Sequence, residues 1–192
     1  RSRIMRFDES GVMLGEFAPN YFYNEFDKIV SLDIDKEGYV AVSDIGRYPA
    51  VHLFSPDGAI LWEQFLPPAF SPHGLAIGPE QTIYVADYAN HCVQTISREG
   101  TYLGPLGYTE DRLEYPKDLV LNDEGALLVL DANGIWKFSP SGNLEDFWPI
   151  SEFIEQPGGI NLDRDGYLWI TDQEGQAFAK LNSEGQLNAW YG

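Results

Sequence analysis

The sequence predicts an all-β protein, a β-propeller of four-stranded antiparallel blades, on three observations. Asp44, Asp87, Asp131 and Asp172 each close a short apolar run and recur at steps of 43, 44 and 41 residues. Segments 31–44, 74–87, 118–131 and 159–172 align on those aspartates without a gap. Gly58, Gly100, Gly142 and Gly185 mark a second landmark, spaced by 42, 42 and 43 residues. A period this regular is the mark of repeated supersecondary units.

Within each unit the apolar runs are strand-sized, rich in Val, Ile, Leu, Tyr and Trp, and bounded by Gly, Pro, Asp, Asn and Ser. In the first full unit strand a is expected at 30–34, b at 39–43, c at 51–55 and d at 60–65. The turn 35–38 joins a to b. Ser55, Pro56, Asp57 and Gly58 join c to d, with Pro fixing φ and Gly accepting the positive φ that follows. Four antiparallel strands in each repeat of some 40 residues match a propeller blade. Blades are expected at 28–65, 74–106, 117–147 and 158–191, within one segment covering 1–192.

Residues 1–17 hold only a c strand (4–7) and a d strand (13–17), a half blade. The expectation is therefore an open arc of about four and a half blades, or a ring completed by segments or copies beyond it, with self-association through open blade edges. The chain begins at Arg1 inside a repeat and reads as a piece of a longer product.

The bulk properties narrow the partners. A formal charge of −18, from 30 acids against 12 bases, repels a phosphate backbone, whose binding needs Lys and Arg to displace counterions. Nucleic acid is excluded as a partner on that ground. No run approaches the ~20 apolar residues of a membrane helix, so no membrane insertion is expected. The single cysteine, Cys92, cannot form an internal disulfide and leaves the compartment open.

Blade geometry sorts residues by rim. Connectors from d to a share a rim with the b-to-c loops, and here those connectors (18–27, 66–72, 108–116 and 149–157) are long and aromatic. The opposite rim has only tight turns. Loops on a rigid scaffold carry recognition, so this connector face is the candidate site. Tyr21, Phe22, Tyr23, Phe26, Phe70, Tyr115, Trp148 and Phe153 are its aromatics, and Glu25, Asp27, Glu110, Asp111, Glu114, Glu152 and Glu155 give it an acidic rim suited to a basic partner. Arg47 and Tyr48 follow Asp44 on the same rim.

Val30, His73, Lys117 and Gly158 occupy one column at the start of strand a, facing the mouth of the central channel. Antiparallel pairing puts His73 near Asp87 and Tyr88, where a His beside a carboxylate can shuttle a proton or bind a metal. His91 follows on the same rim, whereas His52 sits inside strand c and does not fit a three-histidine zinc site. The four repeated aspartates are read as scaffold, each accepting backbone N–H groups of the next turn. No Gly-x-Ser-x-Gly elbow, phosphate loop or paired-Cys metal motif is present.

Pro72, Gly74, Leu75, Ala76 and Ile77, then Ile83 to Asp87, Asn90, 93–96 and Gly100, resemble the NHL repeat, the unit of a six-bladed β-propeller family. Gln81 replaces the usual turn Gly. The resemblance extends to the gluconolactonase-like calcium hydrolases and to amidating lyases, whose metal is held by channel-facing histidines. It implies that Asp33 and Asn161 on strand a, with His73, are the positions to test as Ca²⁺ ligands, although His73 stands where the lactonases have an Asn. The leading expectation is a non-catalytic module binding a protein, peptide or glycan through His73, Lys117, Tyr88, His91, Arg47, Tyr48, Tyr23, Phe70, Tyr115 and Trp148, without a cofactor. The rival is a metal-dependent hydrolase or lyase at the channel mouth.

Overall fold

A computed structural model describes residues 3–17, 26–67, 69–106 and 113–192. The all-β expectation holds: among the described residues eighteen strands form one two-stranded and four four-stranded antiparallel sheets. The half blade is β1 (Ile4–Phe7) with β2 (Met13–Phe17). The first full blade runs β3 (Ile29–Ile34), β4 (Val40–Asp44), β5 (Ala50–Phe54) and β6 (Ile60–Phe65), and the second β7 (Pro72–Ile77), β8 (Ile83–Asp87), β9 (Cys92–Ile96) and β10 (Tyr102–Leu106). The third comprises β11 (Asp118–Leu121), β12 (Leu127–Leu130), β13 (Gly134–Phe138) and β14 (Leu144–Pro149). The fourth comprises β15 (Pro157–Leu162), β16 (Leu168–Asp172), β17 (Ala177–Leu181) and β18 (Leu187–Tyr191). Each sheet is a simple meander in sequence order.

The first strand of every blade is innermost, with β3 packed on β7, β7 on β11 and β11 on β15. Side chains from facing sheets fill the gaps between blades. Leu53 and Val51 meet Leu75, Ile83 and Val85 between the first two blades, and Leu130 and Ile135 meet Ile160, Ile170 and Ala179 between the last two. The half blade packs Ile4 and Phe17 against Val40, Val42 and Phe54. No helix among the described residues is long and apolar enough to cross a membrane.

The aspartates that define the period are structural caps. Each is buried at the end of its b strand. Asp131 accepts the amides of Glu114, Asn133 and Gly134 at 2.8 to 2.9 Å and the Trp136 indole N–H at 2.7 Å. Asp44 accepts the amides of Asp27, Lys28 and Gly46. Asp87 takes Ser71 and Asn90, and Asp172 takes Glu155, Gln156, Glu174 and Gly175. Every cap thus ties its own b-to-c loop to the connector entering the same blade. Each buried carboxylate accepts at least three hydrogen bonds in this way, so its role is that of a scaffold.

The second landmark has a physical reason too. In each c-to-d turn the glycine takes positive φ, as at Gly100 (83°), and faces a residue of the preceding blade's d strand, which at Gly100, Gly142 and Gly185 occupies the space a Cβ would need. Gly58 receives Phe17, Gly100 receives Trp62, Gly142 receives Leu106 and Gly185 receives Trp148. Where Gln81 replaces the turn glycine, Glu80 and Gln81 both adopt left-handed φ of 54° and 58° within a 3₁₀ turn, Pro79–Gln81.

Candidate functional site

The connector face gathers four of the expected binding residues into one strip. The His73 ring stacks on Tyr88, centroids 4.8 Å apart and planes 14° from parallel. Tyr88 meets Tyr115 at 5.0 Å, and Tyr115 meets His91 at 4.5 Å. Three elements converge here. His73 starts the a strand of blade two, Tyr88 and His91 follow its b strand, and Tyr115 comes from the connector into blade three. His91 and Tyr115 both hold left-handed backbone, φ 57° and 53°, and the Tyr115 amide donates to His91 Nδ1 at 3.3 Å. Left-handed backbone is strained for any side chain beyond glycine, least so for His and Asn. Tyr115 remains 44% exposed, so its ring presents a face outward.

Lys117 and Lys28 flank the strip. The Lys117 ammonium crosses to blade four and donates to the Pro157 carbonyl at 2.7 Å. Burial pushes the Lys117 ammonium below its ordinary range. The His73 imidazole is held below the usual histidine value first by burial, then by Lys117 and Lys28, with Asp87 pulling the other way. His73 is therefore neutral near pH 7. Among the described residues no carboxylate forms an ion pair with Lys28 or Lys117. Lys28 was not anticipated from sequence; its register, equivalent to Tyr115 in blade three, was the signal that placed it on this rim.

The other candidates lie elsewhere. Arg47 stacks over Tyr48 at 5.5 Å, and Tyr48 is 50% exposed on the first blade's b-to-c loop. Phe70 packs into the core between blades one and two and meets Tyr102 edge-on at 6.0 Å. Trp148 is a correction to the expected strip. Its ring is buried over Gly185 between blades three and four, and its indole N–H donates to Asp146 Oδ2 at 2.8 Å. A d strand ending beside Pro149 points that indole at the next blade rather than at solvent. Phe26 and Phe153 also pack against cores. Tyr23, with Tyr21, Phe22, Glu25, Glu110 and Asp111, lies outside the described residues.

The central channel holds a cavity of about 260 Å³ lined by the inner strands, with Ser31, Asp33, Asp118 and Asn161 as its polar members. Asp33 gives one oxygen to its neighbour Ile34 N and the other to Ile77 N in the next blade, both at 2.8 Å. Asp118 repeats the pattern with Leu119 N and Ile160 N, both at 3.0 Å. Asn161 Oδ1 accepts Leu162 N. Burial, opposed by these two amides, raises the Asp118 carboxyl above its ordinary range. Of the three positions weighed as calcium ligands, Asp33 and Asn161 line this cavity and His73 does not. Among the described residues no group of three His, Cys, Asp or Glu is placed to hold a metal ion.

Comparisons with known proteins agree with this architecture. The family model for the NHL repeat matches residues 71–96, the blade that carries His73, Tyr88 and His91. Protein brain tumor of Drosophila melanogaster is 27% identical over 113 residues, which cover 53% of this chain and 10% of that protein. Virginiamycin B lyase from Staphylococcus aureus superposes with a TM-score of 0.77 at 21% identity, over 98% of this chain and 62% of its own. A gluconolactonase from Xanthomonas campestris superposes with a TM-score of 0.66 at 20% identity, over 88% and 61%. The chain thus spans about three fifths of those solved propellers, and the likeness to them is one of fold. With one repeat matched by sequence and its blades by structure, the chain is a β-propeller that carries an NHL repeat at residues 71–96.

Proposed function

We propose that this chain is a non-catalytic recognition module that holds a protein, peptide or glycan ligand on its connector face, against the strip formed by His73, Tyr88, Tyr115 and His91. The single observation that carries the reading is the His91–Tyr115 pair, two rings in contact at 4.5 Å and 59° from parallel, both held in left-handed backbone. Strain of this kind persists only where the surroundings over-determine it, and it concentrates at ligand clamps. The strip supplies what a recognition surface needs: flat, partly exposed rings with little rotamer entropy left to lose, on loops anchored by buried aspartate caps.

Selection of a displayed random-peptide library and a glycan array on the immobilised chain tests this. Ligands retained by the native chain, lost with Tyr115→Ala and kept by a variant on the opposite rim, Asp123→Ala, are the expected result. Ligands indifferent to Tyr115 count against the strip. Stoichiometric calcium or zinc in the purified chain, lost on His73→Ala or Asn161→Ala, overturns the module reading in favour of a metal-dependent hydrolase or lyase.

A further inference from the structure

We infer that the strip is one half of a composite site whose other half, Lys117 and Lys28 beside His73, receives a carboxylate of a partner peptide, so that the ligand carries an acidic residue next to an aromatic one. The inference rests on the recognition reading above and narrows it. Its basis is a reversal of charge. The chain as a whole carries −18, yet beside His73 the connector face presents two ammonium groups without a carboxylate partner among the described residues. Lys117 spends one N–H on Pro157 O and keeps two for a ligand. Two lysines with no carboxylate partner among the described residues, beside a stacked imidazole, form a local anion trap. Screening over about 8 Å at physiological salt lets this local positive field act while the distant acids do not.

The same arithmetic selects a peptide over a polyanion. Glu114, Glu152 and Glu155 are exposed on the connectors of this face. A nucleic acid or a uronic-acid polymer crossing the ring would run its remaining charges onto those carboxylates, whereas a peptide with one acidic centre and basic flanks meets both zones with the opposite sign. The aromatic neighbour stacks on Tyr115. His73 contributes in proportion to its protonation. Burial first, then Lys117 and Lys28, hold it neutral against the pull of Asp87, and an incoming carboxylate favours the imidazolium, so binding takes up a proton.

The test uses a fluorescent nonapeptide with a central Glu-Tyr-Glu between paired lysines, and its Gln-Tyr-Gln counterpart. The acidic peptide is expected to bind about tenfold tighter, since charge-assisted hydrogen bonds are about twice as strong as neutral ones. That advantage is expected to disappear in Lys117→Gln and to shrink in Lys28→Gln, an exposed position that leaves the blade contacts intact. It is expected to grow as pH falls from about 7.5 to about 5.5. Equal affinity for the two peptides, both lost with Tyr115→Ala, overturns the carboxylate inference and leaves the strip standing. No peptide binding at all overturns both for peptides. Tighter binding of a ten-nucleotide oligouridine or of a uronic-acid octasaccharide than of the acidic peptide overturns the peptide assignment.

Discussion

The Asp33 carboxylate accepts the Ile77 amide at 2.8 Å across the boundary between the first and second blades, spanning 44 residues of chain. Asp118 does the same to Ile160 across 42 residues. In both cases the second oxygen takes the amide of the following residue. These two staples join inner strands beside the channel. Asp118 fits because Gly74 and Gly159, at the same register in neighbouring blades, leave its side chain room.

Asp118→Ala is expected to destabilise the chain by about 1–3 kcal/mol, the cost of leaving a buried amide without its acceptor. Amide hydrogen exchange at Ile160 is expected to accelerate more than exchange at Ile170 in the same blade. Asn at 118 retains an acceptor and is expected to recover part of the loss. Equal exchange at Ile160 in Asp118→Ala and the native chain counts against the staple.

Gly100→Ala tests the seating of one blade on the next. The residue would keep a φ of 83° and bring its Cβ to 2.8 Å from Trp62 Cγ. Left-handed strain and overpacking together cost about 2–4 kcal/mol. A fall in urea midpoint is expected, together with a red shift in tryptophan emission as Trp62 is displaced.

His52 is expected to make the fold sensitive to acid. It is 2% exposed, packs edge-on against Phe26, and has neither ring nitrogen hydrogen-bonded. Glu63 Oε1 lies 3.5 Å from Nδ1 outside hydrogen-bonding geometry, and burial raises the Glu63 carboxyl. Burial lowers His52 from 6.5 to about 4, partly offset by Asp44. The folded value lies below the unfolded one, so the stability is present above pH 6.5 and is lost as pH falls toward 4. The shift corresponds to a loss on the order of 3 kcal/mol. His52→Leu is expected to flatten the decline measured by urea unfolding at a series of pH values. An unchanged slope locates the acid sensitivity elsewhere.

Tyr115→Gly separates binding from stability. Relief of left-handed strain, about 1 kcal/mol, offsets loss of the ring contacts with Tyr88 and His91, worth about 0.5–1.5 kcal/mol each. Stability is expected to stay within about 2 kcal/mol of the native chain, while the affinity of any connector-face ligand is expected to fall at least about tenfold. A variant that keeps its affinity removes Tyr115 from the site.

The repeat made most of the fold legible. Asp44, Asp87, Asp131 and Asp172 had to sit at equivalent positions, and antiparallel pairing then brought His73 to Tyr88 as expected. The His91–Tyr115 contact was not legible, because it joins a loop of one blade to the connector of the next through two left-handed residues that no pattern announces. Trp148 misled because an aromatic in a d strand can face solvent or the next blade, and only the glycine opposite it, Gly185, decides. Asp118 passed unnoticed as the start of a strand. The glycines at 74 and 159 were the signal that a large side chain at 118 had space on both sides.

The most direct measurement of the central claim is an amide chemical-shift map of the chain titrated with a peptide recovered from the displayed library. Perturbations centred on Tyr88, His91, Tyr115 and Lys117, absent from the turns at 35–38, 55–58 and 139–142, are the predicted result. Perturbations centred on those turns, or on the channel residues Asp33 and Asn161 with the strip unmoved, contradict it.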